Sequence, residues 1–141
     1  MLMDDFVEYY NAELIQARAE LNIKGNLERS AAHLPGIMEY RFNQLQDIEA
    51  VLKYVNIQLA KVRSTHFKKF LENYPRAMTS RDADKYVDSE DEVILFETFN
   101  NDVALIRNQW SGVIKGIENK SFMLGHIVRL RTAGMEDVVI T

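Results

Sequence analysis

Cysteine is absent from the 141 residues, which excludes disulfides, thiolate metal sites and a thiol nucleophile. Proline occurs twice and glycine six times, so long uninterrupted segments are expected. No stretch approaches the ~20 uncharged apolar residues that a membrane-spanning helix needs. The opening Met1-Leu2-Met3-Asp4-Asp5 is acidic where a secretion signal is basic, and a cytoplasmic location is expected. There is no phosphate-binding GxxxxGK[ST] loop, no GxGxxG, no GxSxG and no HExxH. With no positioned polar set in view, neither catalysis nor a cofactor is expected.

What is present is a globular balance of 47% apolar and 27% charged residues, enough for one domain with a core. The fold class is all-α: a long antiparallel helical hairpin, an additional N-terminal helix and a C-terminal oligomerisation helix. Residues 1–34 supply the first helix, about Asp4 to Leu21, and a linker. Phe6, Tyr9 or Tyr10, Leu14, Ala17 and Leu21 share one helical face there, and Gly25 is a plausible stop. Residues 35–73 form a long helix opening at Pro35, with Leu45, Ile48, Leu52, Val55, Leu59 and Val62 spaced alternately by 3 and 4. That seam decays at His66 and Lys69.

Residues 80–118 form the second long helix, opening at Ser80 or at Ser89, where Glu92 completes a capping-box pattern. Its seam runs through Phe96, Phe99, Val103, Ile106, Trp110, Val113 and Ile117, is interrupted by Lys120, and resumes at Leu124 and Ile127. The polar run Glu118-Asn119-Lys120-Ser121 predicts a bend or break, which sets off residues 119–134 as a C-terminal oligomerisation segment. Trp110, Gly112, Ile117, Phe122, Leu124, Ile127 and Leu130 are its candidate contacts. Gly112 and Gly116 each cost about 1 kcal/mol in a helix, which close approach of another backbone would offset. The apolar residues after Phe122 cover more circumference than one partner helix buries, although a wholly intramolecular core is the alternative.

His33, His66 and His126 lack partners at ligand spacing, so no metal site is assigned. The acidic run from Asp82 to Glu92 could in principle hold Mg²⁺, but it reads instead as a solvated helix N-terminus, where negative charge suits the helix dipole. Charge segregation is more informative, because the chain as a whole carries −4 and any anion site must be local. Lys61, Arg63, Lys68, Lys69, Arg76 and Arg81 cluster against Glu72 alone, with Phe67, Phe70 and Tyr74 interleaved. Such a set neutralises phosphates and stacks bases. It is also what a solvated helix end with core phenylalanines looks like.

Trp110 to Gly134 resembles the C-terminal signature of the UvsY recombination mediator family of T4-like phages, in Ile114, Ile117, Lys120-Ser121-Phe122, His126-Ile127, Leu130-Arg131 and Ala133-Gly134. Tyr86-Val87-Asp88-Ser89-Glu90, Ile48-Glu49-Ala50 and Lys61-Val62-Arg63 resemble further elements of that family. Gly125 and Tyr74-Pro75-Arg76 depart from its pattern. The resemblance implies a ring-like homo-oligomer that binds single-stranded DNA. It also implies that a RecA-like recombinase is helped to replace the single-stranded-DNA-binding protein. Lys61 and Arg63 would make the DNA contact, with Lys68, Lys69 and Arg76 beside them. A ring reconciles this with the acidic chain, because symmetry repeats a few basic contacts. The competing reading is a helical structural or adaptor protein without DNA binding, in which the basic cluster has no obligation to face a shared surface.

Overall fold

The structure, a computed structural model, describes residues 3–73 and 79–134. Four helices and no strand occur among them: α1 (Met3–Ala19), α2 (Leu27–Asn73), α3 (Ser80–Asp88) and α4 (Asp91–Thr132). The all-α class expected from the periodicity is what is found. The chain packs as two compact units. One comprises the residues up to Asp47 with those from Ile106 onward, and the other comprises Ile48–Leu105.

In the first unit α1 buries Phe6, Tyr10, Leu14 and Ala17. Each large apolar side chain removed from water contributes roughly 1.5–3 kcal/mol. Tyr10, not its exposed neighbour Tyr9, occupies the seam, and its ring meets Trp110 edge-on at 5.2 Å. Trp110 is 0% exposed, and its Nε1–H donates to Gln44 Oε1 at 3.2 Å. Arg41, 2% exposed, donates through Nε and Nη2 to the two carboxylate oxygens of Glu20, both at 2.8 Å. Its Nη1 reaches Glu13 at 2.6 Å and Gln44 Oε1 at 2.9 Å. A guanidinium out of water needs such a set, because unpaired burial of a charge is prohibitive.

The second unit is built on Phe70, Ala83, Val87 and Val93, with Leu59, Val62 and Phe67 packed against them. Thr79 caps α3, its hydroxyl accepting from the Asp82 amide at 3.2 Å. Within this unit α2 and α4 run antiparallel: Arg63 pairs with Glu97, and His66, a turn further along α2, approaches Glu92, a turn back along α4.

Several helix boundaries differ from those expected. α2 starts at Leu27, two turns before Pro35, which lies inside the helix. Asn26 accepts from the Arg29 amide at 3.1 Å to start it, and Leu27 and Leu34 are both buried. That burial offsets the hydrogen bond proline removes, a loss of about 3 kcal/mol. The Ser89–Glu92 capping box does not form. Ser89 instead closes α3, its hydroxyl donating back to the carbonyls of Lys85 and Tyr86 at 3.2 Å. Nor does α4 break at residues 118–121. Lys120 stays on the buried side and donates to the Glu20 carbonyl at 2.7 Å, so the seam continues to Leu124.

Candidate nucleic-acid interface

The C-terminal half of α2 carries the basic cluster. Lys61, Lys68 and Lys69 are exposed, and no salt bridge or hydrogen bond engages their ammonium groups among the described residues. Lys61 and Lys68 are seven residues apart and so share one helical face. Tyr54, seven residues before Lys61, is 62% exposed and extends that face with a flat aromatic surface. Sequence reasoning passed over Tyr54 because it lies outside the basic run, although its heptad spacing to Lys61 was visible. Arg76 and Tyr74 lie outside the described residues.

Arg63 is placed differently from its lysine neighbours. Its Nη2 meets Asp88 at 2.8 Å and its Nη1 meets Glu97 at 3.0 Å. The Asp88 hydrogen bond, with Glu97 and Asp84 adding attraction, raises its pKa further. His66 stands 3.8 Å from Glu90 and 3.7 Å from Glu92. Part of the acidic run therefore serves as counter-charge to the end of α2. Arg63 is thereby neutralised within the folded unit by Asp88 and Glu97, a use of Asp88 that neither a metal site nor a solvated helix start describes. Phe70 belongs to the core and Phe67 packs on it, so neither supplies a stacking face.

The candidate oligomerisation residues divide by burial. Trp110, Ile117 and Leu124 are consumed by the core of their own unit, and are not surplus surface. Ile127 and Leu130 are half-buried. Phe122 is 68% exposed, and Met123 and Val128 are exposed beside it. An apolar groove of about 580 Å³, lined by Leu27, Leu34, Pro35, Met38, Leu124 and Val128, adjoins them. Gly116 is approached by the Leu21 side chain, not by another backbone, and Gly112 has nothing near it.

Fold and surface together define an all-α protein. Among the described residues no cluster of three or more His, Cys, Asp or Glu could hold a metal, and no helix is long and apolar enough to cross a membrane. The fold is similar to that of the bacteriophage T4 recombination mediator protein UvsY. Its crystal structure matches with a TM-score of 0.75 at 15% identity, over 95% of this chain and 99% of that one. No family model and no curated protein matches the chain. At this identity the likeness is one of fold.

Proposed function

We propose that the protein is a recombination mediator: a ring-like homo-oligomer that binds single-stranded DNA and promotes loading of a RecA-like recombinase in place of the single-stranded-DNA-binding protein, in the cytoplasm of the host cell. The observation that carries this reading is the fold likeness to a recombination mediator over nearly the whole of both chains. Three exposed lysines on α2 support it. Lys61, Lys68 and Lys69 neutralise phosphates, Tyr54 offers a stacking face, and Arg76 adds charge. Arg63 joins them only by leaving Asp88 and Glu97, and its main contribution is to hold α2 against α3 and α4 within the unit. Self-association uses the exposed Phe122, Met123 and Val128 and the groove beside them. Repetition around the ring converts few contacts per subunit into firm binding.

The test is a titration of labelled oligo-dT at two salt concentrations. Replacing Lys61 and Lys68 by Ala weakens binding and flattens the salt dependence, because fewer counterions are released. Arg63→Ala lowers the melting temperature more than it changes the salt slope. An unchanged affinity and slope in the double lysine variant, at unchanged oligomeric mass, would reject the DNA site. The adaptor reading, favoured by the intramolecular neutralisation of Arg63, would then stand.

A further inference from the structure

We propose that the polar pocket formed by the α1–α2 connection, the first turns of α2 and Lys120 of α4 is a binding site for a phosphate group. It lies wholly within the first unit, and the inference does not depend on the interface at Lys61–Lys69. The pocket has a volume of about 620 Å³, and its walls include Glu20, Lys24, Asn26, Arg29, His33 and Lys120.

Lys120 is the reason to assign a ligand. It is 8% exposed, and its Nζ donates to the Glu20 carbonyl at 2.7 Å. An ammonium carries three donors and this bond uses one. Glu20 is the acid among the pocket's lining residues, and both its carboxylate oxygens are taken by Arg41 at 2.8 Å. Lys120 is thus a buried cation with no carboxylate in ion-pair contact among the described residues, an arrangement that is costly unless an anion completes it. Burial pushes the Lys120 ammonium pKa down, with the Glu20 carboxylate opposing it in part.

The remaining walls add charge of the same sign. Lys24 and Arg29 are exposed at the rim and pair with no acid among the described residues. α2 begins here with Asn26 bonded to the Arg29 amide, so the positive end of a 47-residue helix adds to the field. Three formal cations and one carboxylate, Glu20, which is already held by Arg41, therefore meet at one pocket in a chain whose net charge is −4. A tetrahedral oxyanion with several acceptors suits side-chain donors converging from Lys24, Arg29 and Lys120. Its source is a polynucleotide phosphodiester or a small phosphate.

Amide NMR spectra of the full chain during addition of inorganic phosphate, matched at each step by NaCl of equal ionic strength, test the site. Saturable shifts are expected at residues 24–30 and at Lys120. Lys120→Met keeps the buried stem and removes the charge, and weakens this binding at least tenfold. Where that variant fails to fold, Lys24→Ala with Arg29→Ala, both at exposed positions, gives the same loss. A parallel titration with oligo-dT identifies the source: the same amides respond to a polynucleotide phosphodiester, and stay still if the site takes only a small phosphate. Shifts reproduced by NaCl, or a double variant that titrates like the unaltered chain, would overturn the proposal.

Discussion

Replacing Arg41 by Met removes the cation that is ion-paired with Glu13 and Glu20 while keeping most of the volume it fills. Those glutamates are only 18% and 25% exposed, so both are left largely desolvated without a counter-charge. Breaking a buried pair from one side costs about 3–5 kcal/mol. The residual solvation of the two carboxylates places this case near the lower end, about 3 kcal/mol, or a little over a hundredfold in the folding equilibrium. Urea denaturation followed by Trp110 fluorescence reads it directly. A pH series then separates charge from packing. Arg41, chiefly through its hydrogen bond, holds the Glu13 carboxyl below its ordinary range. A depressed carboxyl contributes stability that is full above the unfolded pKa and is lost as pH falls through the lower folded value. The gap in stability between the unaltered chain and the Arg41→Met variant therefore narrows on acidification below about pH 4.5. Adding Glu13→Gln and Glu20→Gln to that variant restores at least half of the loss at pH 7. A gap under 1 kcal/mol at pH 7, or one that is the same at pH 7 and pH 3.5, would refute the reasoning.

Gly112→Ala, where nothing lies within 4 Å of the added Cβ, is expected to raise stability by about 1 kcal/mol. Gly116→Ala is expected to be near neutral, because its Cβ meets the movable Leu21 methyls at 2.9 Å; thermal melts of both variants decide this. Tyr10, whose pKa is raised to about 12, first by burial and then by Asp47, contributes stability that is full below pH 10 and lost as pH rises through 12. Tyr10→Phe should remove that alkaline loss in melting curves taken between pH 9 and 12. Phe122→Glu with Val128→Glu should reduce the oligomeric mass by light scattering while leaving helicity unchanged, and an unaltered mass would dismiss that face as the contact.

The all-α class and the seam of α4 were visible as spacing alone, since Phe99, Val103, Ile106, Trp110, Val113 and Ile117 are all buried. Periodicity reports which face a helix buries, and it does so wherever one apolar stripe runs unbroken. It reports poorly on ends. Pro35 reads as a boundary because local chemistry disfavours it, while the burial of Leu27 and Leu34 that overrides it depends on residues elsewhere in the chain. Lys120 reads as an interruption because its partner is a backbone carbonyl 100 residues away. The candidate DNA residues show the same limit. Lys61 and Arg63 look equivalent in the sequence, and only the positions of Asp88 and Glu97 make one a free surface charge and the other an ion-paired clamp.

The link between Lys120 and Glu20 also sets a timetable for synthesis. Tyr10 leaves the ribosome long before Trp110, the α4 ring it packs against, exists to cover it. At ~5–20 residues per second, a separation of 100 residues is a wait of roughly 5–20 s. The Ile48–Leu105 unit, contiguous in sequence, is complete before that wait ends. The nascent chain therefore carries α1 without its Trp110 contact until the residues from Ile106 onward are made.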